Sequence, residues 1–448
     1  LSLTDQSNLS EEQVAANFAD IKPALTGEHA ITEANRCLYC YDAPCAIACP
    51  THIDIPEFIR RIGSGNLKGA AETILESNIL GASCARVCPT QELCEGSCVM
   101  HHLKMPAIDI GRLQRHAVDH VMEHNVHVLK PYGNPEGKPV AVVGGGPAGL
   151  SAAAELSRLG HKAVVFEANA EAGGLNRYGI APYKLTNEES NAEVKYVQDM
   201  CKFEIKTGVR VGQDLSLEQL DKDYAAVYLG VGMSTTRKMG IPGENLAGFI
   251  GATEWIEALR SKPLHETSVG KKVIVVGAGN TAIDAATESA RLGAEVVIVY
   301  RRGIEDMPAY EFEYHLALQD KVRFFWYTNP VAVLGTDKVT GLRCQKMAPG
   351  EADASGRPRP VPVAGSEFEI EADWVILATG QENHKSLYEQ LKLEMSGSKV
   401  KVNADFQTSN PKYFAGGDCI NGGKEVVNAV ADGKKAAHAI HQFLGKKG

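Results

Sequence analysis

The chain lacks any large excess of charge of one sign. Its 46 basic and 55 acidic residues leave a net charge of −9, which argues against a polyelectrolyte partner and against nucleic acid in particular. Long hydrophobic runs are missing as well. No apolar stretch approaches the roughly 20 residues of a membrane helix, and no secretory h-region is present, so a cytoplasmic chain with no membrane association is expected. The first residue is Leu1 rather than Met, which reads as a processed or trimmed N-terminus. No acid–base dyad or activated nucleophile stands out, and no catalytic side chain is assigned. His101, His102, His116, His120, His124 and His127 include several at helical spacing that a metal could use, but a solvated helix face is the simpler reading.

Cysteine is nearly absent from most of the chain. Outside residues 37–98 only Cys201, Cys344 and Cys419 occur, and these read as small buried hydrophobes. The other eight fall in two groups, Cys37-x2-Cys40-x4-Cys45-x3-Cys49-Pro50 and Cys84-x3-Cys88-Pro89-x4-Cys94-x3-Cys98. Disulfides would suit a small secreted domain, not a chain long enough to bury a large core. Crowded thiolates are soft ligands that select zinc or iron–sulfur clusters. Zinc ribbons usually pair two short Cys-x2-Cys knuckles. One such pair, longer gaps elsewhere and a Cys-Pro step in each group favour iron–sulfur, since the last Cys of such a run can serve the other cluster. Spacing alone reads most simply as two sites of four thiolates.

A Gly-rich strand–turn–helix pattern occurs twice, as Val140-Ala-Val-Val-Gly144-Gly-Gly146-Pro147-Ala148-Gly149 and as Val273-Ile-Val-Val-Gly277-Ala-Gly279-Asn280-Thr281-Ala282. A dinucleotide pyrophosphate needs this arrangement: no Cβ where the backbone approaches, and free N–H groups at a helix start. After the first copy, Ala163-Val-Val-Phe166 ends in Glu167, a carboxylate suited to an unphosphorylated ribose, as in FAD or NAD. After the second, Val296-Val-Ile-Val-Tyr300 ends in Arg301-Arg302. Guanidiniums there suit a 2′-phosphate. FAD is therefore expected in the first site and NADPH in the second, while a solvated strand end accepting either nicotinamide dinucleotide is the plainer alternative.

At 448 residues several domains are expected. Residues 1 to about 35 read as a polar, partly helical leader, in which Asn17-Phe-Ala-Asp-Ile21 resembles a docking segment. Pro56–Ile62 and Leu67–Leu75 carry helical spacing, with Asp54 as a helix start, and Lys130–Pro139 reads as a linker. The expected fold class is α/β with an N-terminal all-α iron–sulfur domain and two Rossmann-like domains, and the family resemblance given below implies that the FAD domain is split by the NAD(P)H domain. The boundaries drawn are 1–137 for the helical domain, 138–262 and 378–448 for the FAD domain, and 263–377 for the NAD(P)H domain. A crossover is placed at Ser261–Pro263, and a hairpin-rich tail at Phe324–Tyr327 and Val331–Leu334.

The cysteine groups, Ile108-Asp-Ile-Gly-Arg-Leu-Gln114 and both Gly motifs together resemble one family over nearly the whole chain. It contains the small subunit of glutamate synthase and the N-terminal half of dihydropyrimidine dehydrogenase, the resemblance being nearest to the bacterial subunit that feeds a separate FMN-bearing partner. The resemblance implies interleaved 4Fe-4S ligands: Cys37, Cys40, Cys45 and Cys98 for one cluster, and Cys49, Cys88, Cys94 and the amide oxygen of Gln114 for the other, with Cys84 a spare thiol. Gln rather than Glu at position 114 points to the dihydropyrimidine dehydrogenase side. For FAD it implies Gly144, Gly146, Pro147, Ala148, Gly149 and Glu167, the loop Gly173, Gly174 and Leu175 with Lys184 nearby, Gly417 and Asp418, and a helix starting near Val426 aimed at the flavin. For NADPH it implies Gly277, Gly279, Asn280, Thr281, Arg301 and Arg302, with Ala378, Thr379 and Gly380 on the nicotinamide side. Pro308 stands where animal enzymes carry a further Arg, which leaves NADH open. The implied function is NAD(P)H oxidation, with electrons leaving through two clusters to an FMN and iron–sulfur subunit that reduces uracil or thymine, in a heterotetramer. The glutamate synthase small subunit, or a freestanding NADPH:acceptor oxidoreductase, is the alternative.

Overall fold

The computed structural model describes residues 9–133, 136–353 and 356–445. They form two compact units: the described parts of 20–177, 184–233 and 383–448, and those of 1–19, 178–183 and 234–382. Helix α1 (Glu11–Asn17) belongs to the second unit. The first unit begins with helices α2 (Gly27–Ala34), α3 (Pro44–Ala48), α4 (Ile55–Gly63), α5 (Leu67–Ser77) and α6 (Gly81–Val87), a 3-10 turn at Val99–Leu103, and α7 (Ile110–Glu123).

Helix α4 shows why this stretch is helical. The Asp54 side chain accepts from Glu57 N at 3.1 Å, and Pro56 sits in the first turn, where its missing N–H costs nothing. Ile55, Phe58, Ile59 and Ile62 form one buried stripe, each side chain contributing about 1.5–3 kcal/mol by burial. That stripe packs on α5 and α7.

The chain then enters β1 (Pro139–Val143), α8 (Pro147–Arg158), β2 (Lys162–Phe166), α9 (Leu175–Tyr178), α10 (Asn187–Cys201), β3 (Glu204–Lys206), α11 (Leu217–Asp223) and β4 (Ala226–Leu229). The linker before β1 lies along the end of α8: Tyr132 N and Gly133 N donate to Arg158 O, and Gly137 N to Gly160 O. Its Asn134 and Pro135 lie outside the described residues.

The second unit contains β5 (Phe249–Gly251), α12 (Ala252–Arg260), β6 (Lys272–Val276), α13 (Asn280–Arg291), β7 (Glu295–Val299), α14 (Glu311–Gln319), β8 (Arg323–Phe325), β9 (Thr328–Gly335), β10 (Val339–Ala352), β11 (Pro358–Glu371) and β12 (Trp374–Leu377). Its parallel sheet runs β5-β12-β6-β7-β8, beside an antiparallel sheet β11-β10-β9. Two sequence expectations change here. The crossover falls at residues 233/234 and the return at 382/383, not at 262/263 and 377/378, because β5 pairs in parallel with β12 through Phe249–Gly251. Phe324-Phe325 is the edge strand β8, paired in parallel with β7, rather than part of a hairpin. The N-terminal segment does dock within this unit: Asn17 Nδ2 donates to Arg291 O at 2.8 Å, and buried Phe18 meets the Tyr183 ring.

Returning to the first unit, the chain forms α15 (Lys385–Gln390), the short pair β13 (Met395–Ser396) and β14 (Lys399–Val400), β15 (Tyr413–Ala415), α16 (Asp418–Asn421) and α17 (Val426–Gly445). The sheet order β15-β4-β1-β2-β3 is parallel throughout. Strand β1 is buried on both faces, as a central parallel strand must be. Val140 and Val142 join the core shared with the N-terminal helices, whereas Ala141 and Val143 join the opposite one. With β2 on one side of β1 and β4 on the other, the crevice for a ligand opens beyond the C-terminal end of β1.

Candidate functional site: two nucleotide turns and two cysteine groups

At the first Gly turn, backbone crowding dictates the residues. Gly144 has φ +102°, and a Cβ there would lie 2.4 Å from Gly230 O. One on Gly149 would lie 1.9 Å from Gly144 O. Glu167, at the end of β2, accepts from Gly145 N at 2.7 Å and Asn169 N at 2.8 Å, so its carboxylate is held at the turn. Gly173 N donates to Gly145 O at 2.8 Å, and a Cβ on Gly174 would come within 2.6 Å of Gly146 Cα. The Gly173-Gly174-Leu175 loop is thereby brought against the turn, with Leu175 exposed. Pro147, Ala148 and Gly149 begin α8.

Two further segments join it. Gly417 (φ +75°) lies so near α8 that a Cβ would be 2.9 Å from Ala148 Cβ, and its N–H donates to Asp432 at 3.0 Å. Asp418 opens α16 and accepts from Lys424 N at 3.1 Å; burial pushes its carboxyl up. Helix α17 starts at Val426. Lys184 is half-buried between α9 and α10. Gly144, Gly146, Gly149, Glu167, the 173–175 loop, Gly417 and Asp418 are therefore brought together, leaving Cβ-free backbone and a helix start facing the crevice, the geometry a dinucleotide phosphate requires.

The second turn repeats this geometry. Gly277 has φ +127°, and a Cβ there would sit 2.3 Å from Ala378 O, so Ala378, Thr379 and Gly380 follow β12 beside the turn. Thr379 Oγ1 donates to Arg237 O at 3.2 Å. Gly279 caps α13, Asn280 begins it, and Thr281 is exposed. The loop after β7 folds over the turn: Ala309 N donates to Ala278 O and Tyr310 N to Asn280 Oδ1 at 3.1 Å, with Pro308 against Gly279. Tyr300 stands where Glu167 stands in the first copy, its hydroxyl donating to Asp306 O at 2.9 Å.

The two arginines part company. Arg301 is exposed. Arg302 is buried and turned to the β10–β11 hairpin, where it donates to Pro358 O at 3.1 Å and to Asp353 at 2.5 Å. Of the expected pair, Arg301 is presented outward, while a hairpin carbonyl and carboxylate take up the Arg302 guanidinium.

Tertiary packing also sorts the cysteines. Cys37, Cys40, Cys45 and Cys98 line one cavity, although Cys98 belongs to the other group in sequence. Burial pushes the Cys37 thiol up and that of Cys45 up to about 11, with the neighbouring thiols adding to it. The remaining four also gather. A hydrogen bond with Cys84, then burial, then the nearby Cys84, Cys94 and Cys49 thiols push Cys88 well up. Burial and the neighbouring Glu95 and Cys49 do the same to Cys94.

Among the described residues no three His, Cys, Asp or Glu side chains are placed to hold a single metal ion. Four thiols around a shared cavity suit a polynuclear cluster better than zinc, whose thiolates must all lie about 2.3 Å from one atom. Gln114, on α7, is buried, and its amide nitrogen donates to Gly81 O at 2.7 Å, at the start of the helix carrying Cys84. Cys201, Cys344 and Cys419 are buried and free.

Sequence reasoning missed Glu193. This buried residue of α10 accepts from Ala82 N at 2.7 Å, Ser83 N at 3.1 Å and Ser83 Oγ. A single Glu in a polar helix carries no local signal of such a role.

Comparison with known proteins agrees with this geometry. The family model of pyridine nucleotide-disulphide oxidoreductases matches residues 138–433, and that of dihydropyrimidine dehydrogenase domain II, 4Fe-4S cluster, matches residues 14–126. The chain is 36% identical over 446 residues to the glutamate synthase (NADPH) small chain of Escherichia coli K12, covering 95% of this chain and 94% of that protein. It is 38% identical over 430 residues to the NAD-dependent dihydropyrimidine dehydrogenase subunit PreT of the same strain, covering 96% and 98%. Among solved structures, Mycobacterium tuberculosis FprA in complex with NADPH shares the fold, with a TM-score of 0.60 at 21% identity over 69% of this chain and 85% of that one. The chain thus belongs to the pyridine nucleotide-disulphide oxidoreductase family, alongside glutamate synthase small chains and dihydropyrimidine dehydrogenase subunits, and is an electron-input oxidoreductase using FAD, two 4Fe-4S clusters and NADPH or NADH.

Proposed function

We propose that this chain is the NAD(P)H-oxidising subunit of a dihydropyrimidine dehydrogenase, delivering electrons to a separate FMN and iron–sulfur subunit that reduces uracil or thymine. When bound, the nicotinamide, FAD and clusters would together supply hydride donation, its division into single electrons and their onward transfer. The chain's own residues bind and orient. Gly144, Gly146 and Gly149 leave room for the FAD pyrophosphate, Glu167 meets its ribose, and Gly417 and Asp418 meet the ribityl and phosphate region. Gly277, Gly279, Asn280 and Thr281 do the corresponding work for the nicotinamide dinucleotide, with Arg301 for a 2′-phosphate. Cys37, Cys40, Cys45 and Cys98 hold one cluster, and Cys49, Cys88, Cys94 and Gln114 the other.

Gln114 carries the choice of enzyme. It is a neutral carboxamide, buried in the cysteine-bearing helical region, where the resemblance expects Glu in glutamate synthase small chains. A neutral ligand leaves its cluster less negative than a carboxylate would. The glutamate synthase reading stands second, supported by the 36% identity over nearly the whole chain.

Co-purification with candidate FMN subunits, followed by assay with uracil against glutamine plus 2-oxoglutarate, decides between them. Uracil-dependent NAD(P)H oxidation is the expected result; glutamate formation alone would give the second reading. For the ligand set, Gln114→Leu should perturb one cluster with FAD retained, and Cys84→Ala should keep full iron content. Loss of about four irons per chain in Cys84→Ala, a cubane's worth, would put Cys84 in the place of Gln114.

A further inference from the structure

The turn Gly81–Ser83 begins the helix that bears Cys84 and ends at Cys88, and two side chains grip it. Gln114 donates to Gly81 O. From α10, which follows the flavin-site loop in the chain, Glu193 takes both N–H groups of Ala82 and Ser83 and the Ser83 hydroxyl. Among the described residues these are the hydrogen bonds Glu193 makes, and none goes to Gln114 or to a cysteine. Residues 82 and 193 are 111 apart in sequence, so the contact is a tertiary tie between the helix start and the nucleotide domain. A carboxylate two-fold bonded to a helix start favours its ionised form, whereas complete burial disfavours it.

We infer that Glu193 is a positioning residue for the cluster held by Cys49, Cys88 and Cys94, and that its carboxylate takes up one proton when that cluster takes up one electron. The step balances: the electron comes from NAD(P)H through the flavin, the proton from solvent, and no bond other than the new O–H forms. This rests on reading the cysteine groups as cluster ligands.

Burial outweighs the three hydrogen bonds and pushes the Glu193 carboxyl up to about 7. A negative charge added to the cluster that Cys88, at the other end of the same helix, helps to hold raises it further. The charged group facing it from α6 is Arg86, which favours the ionised form. That guanidinium is itself shared with Asp119 of α7 and Glu189 of α10, and both carboxylates also meet Arg115. Glu193 is therefore left with only part of one positive charge.

The test is an EPR-monitored redox titration of the iron-loaded, FAD-loaded chain at pH 6 and pH 8, for wild type and Glu193→Gln. In the wild type, one cluster's midpoint should fall as pH rises from 6 to 8, because the ionised carboxylate opposes the electron. Glu193→Gln should keep that midpoint near its pH 6 value at both pH values. The other cluster, and the rate of flavin reduction by NADPH, should be unchanged. Ser83→Ala, which removes one of the bonds that favour ionisation, should move the wild-type transition to higher pH.

Equal pH dependence in wild type and Glu193→Gln would overturn the inference, as would a displacement of the midpoint by the same amount at both pH values, which packing alone would produce. The wild-type profile needs no variant, so a flat profile would also overturn it. Absence of iron after reconstitution would instead remove the cluster reading on which the inference rests.

Discussion

The two Gly turns start from the same sequence pattern and end in different sites. In both, the first Gly is forced by a carbonyl at the end of a neighbouring strand, Gly230 O in one and Ala378 O in the other. They diverge at the sixth position. A Cβ on Gly149 would lie 1.9 Å from Gly144 O, while the equivalent Ala282 is an alanine, buried at 0% exposure. They diverge again at the end of the next strand, where Glu167 accepts a backbone N–H from its own turn, but Tyr300 reaches away to Asp306 O. A shared motif builds the same Gly turn twice, and the following strand ends give the two turns different neighbours.

The sharpest break of this comparison is Gly149→Ala. It should lose FAD and destabilise the chain by about 3 kcal/mol or more, since the obstructing atom is a backbone carbonyl that cannot turn aside. Flavin content of the purified variant and its urea midpoint check this. Next comes Arg302→Ala, which should cost about 2 kcal/mol by removing the buried guanidinium and its bonds to Asp353 and Pro358 O. Its NADPH-to-NADH preference should stay as in wild type, because that guanidinium is committed to the hairpin.

Arg301→Asp should do the reverse: little loss of stability, but an NADPH affinity weakened by roughly 1.5–3 kcal/mol, the scale of charged hydrogen bonds, with NADH weakened far less. Equal weakening of both in a binding titration would remove the 2′-phosphate role from Arg301. The smallest effect belongs to Ala282→Gly. Making the second turn resemble the first should cost only about 1 kcal/mol, through helix propensity, with nicotinamide binding retained.

Some features were legible because their causes are local. The helix at Ile55–Gly63 follows from Asp54, Pro56 and a stripe of four apolar residues. Both turns follow from runs of valine ending in glycine, and crowded cysteines announce a metal centre. Other features left no local trace. Strand β5 has three residues, Phe249–Gly251, too few for a pattern, so nothing in the local sequence marks the crossover into the second unit at 233/234. Nothing around Arg301 and Arg302 indicates which one a hairpin some 50 residues later will take.

Local chemistry thus settled the types of site this chain builds: two dinucleotide turns and a cysteine-held redox centre. Their completion was left to long-range packing. Cys98 joins Cys37, Cys40 and Cys45, Cys84 meets Cys88 beside Cys49 and Cys94, and Glu193 meets the turn at Ala82 and Ser83. Spacing and periodicity report only on neighbours along the chain, whereas these contacts depend on which buried faces pair, and that is decided by the whole core at once.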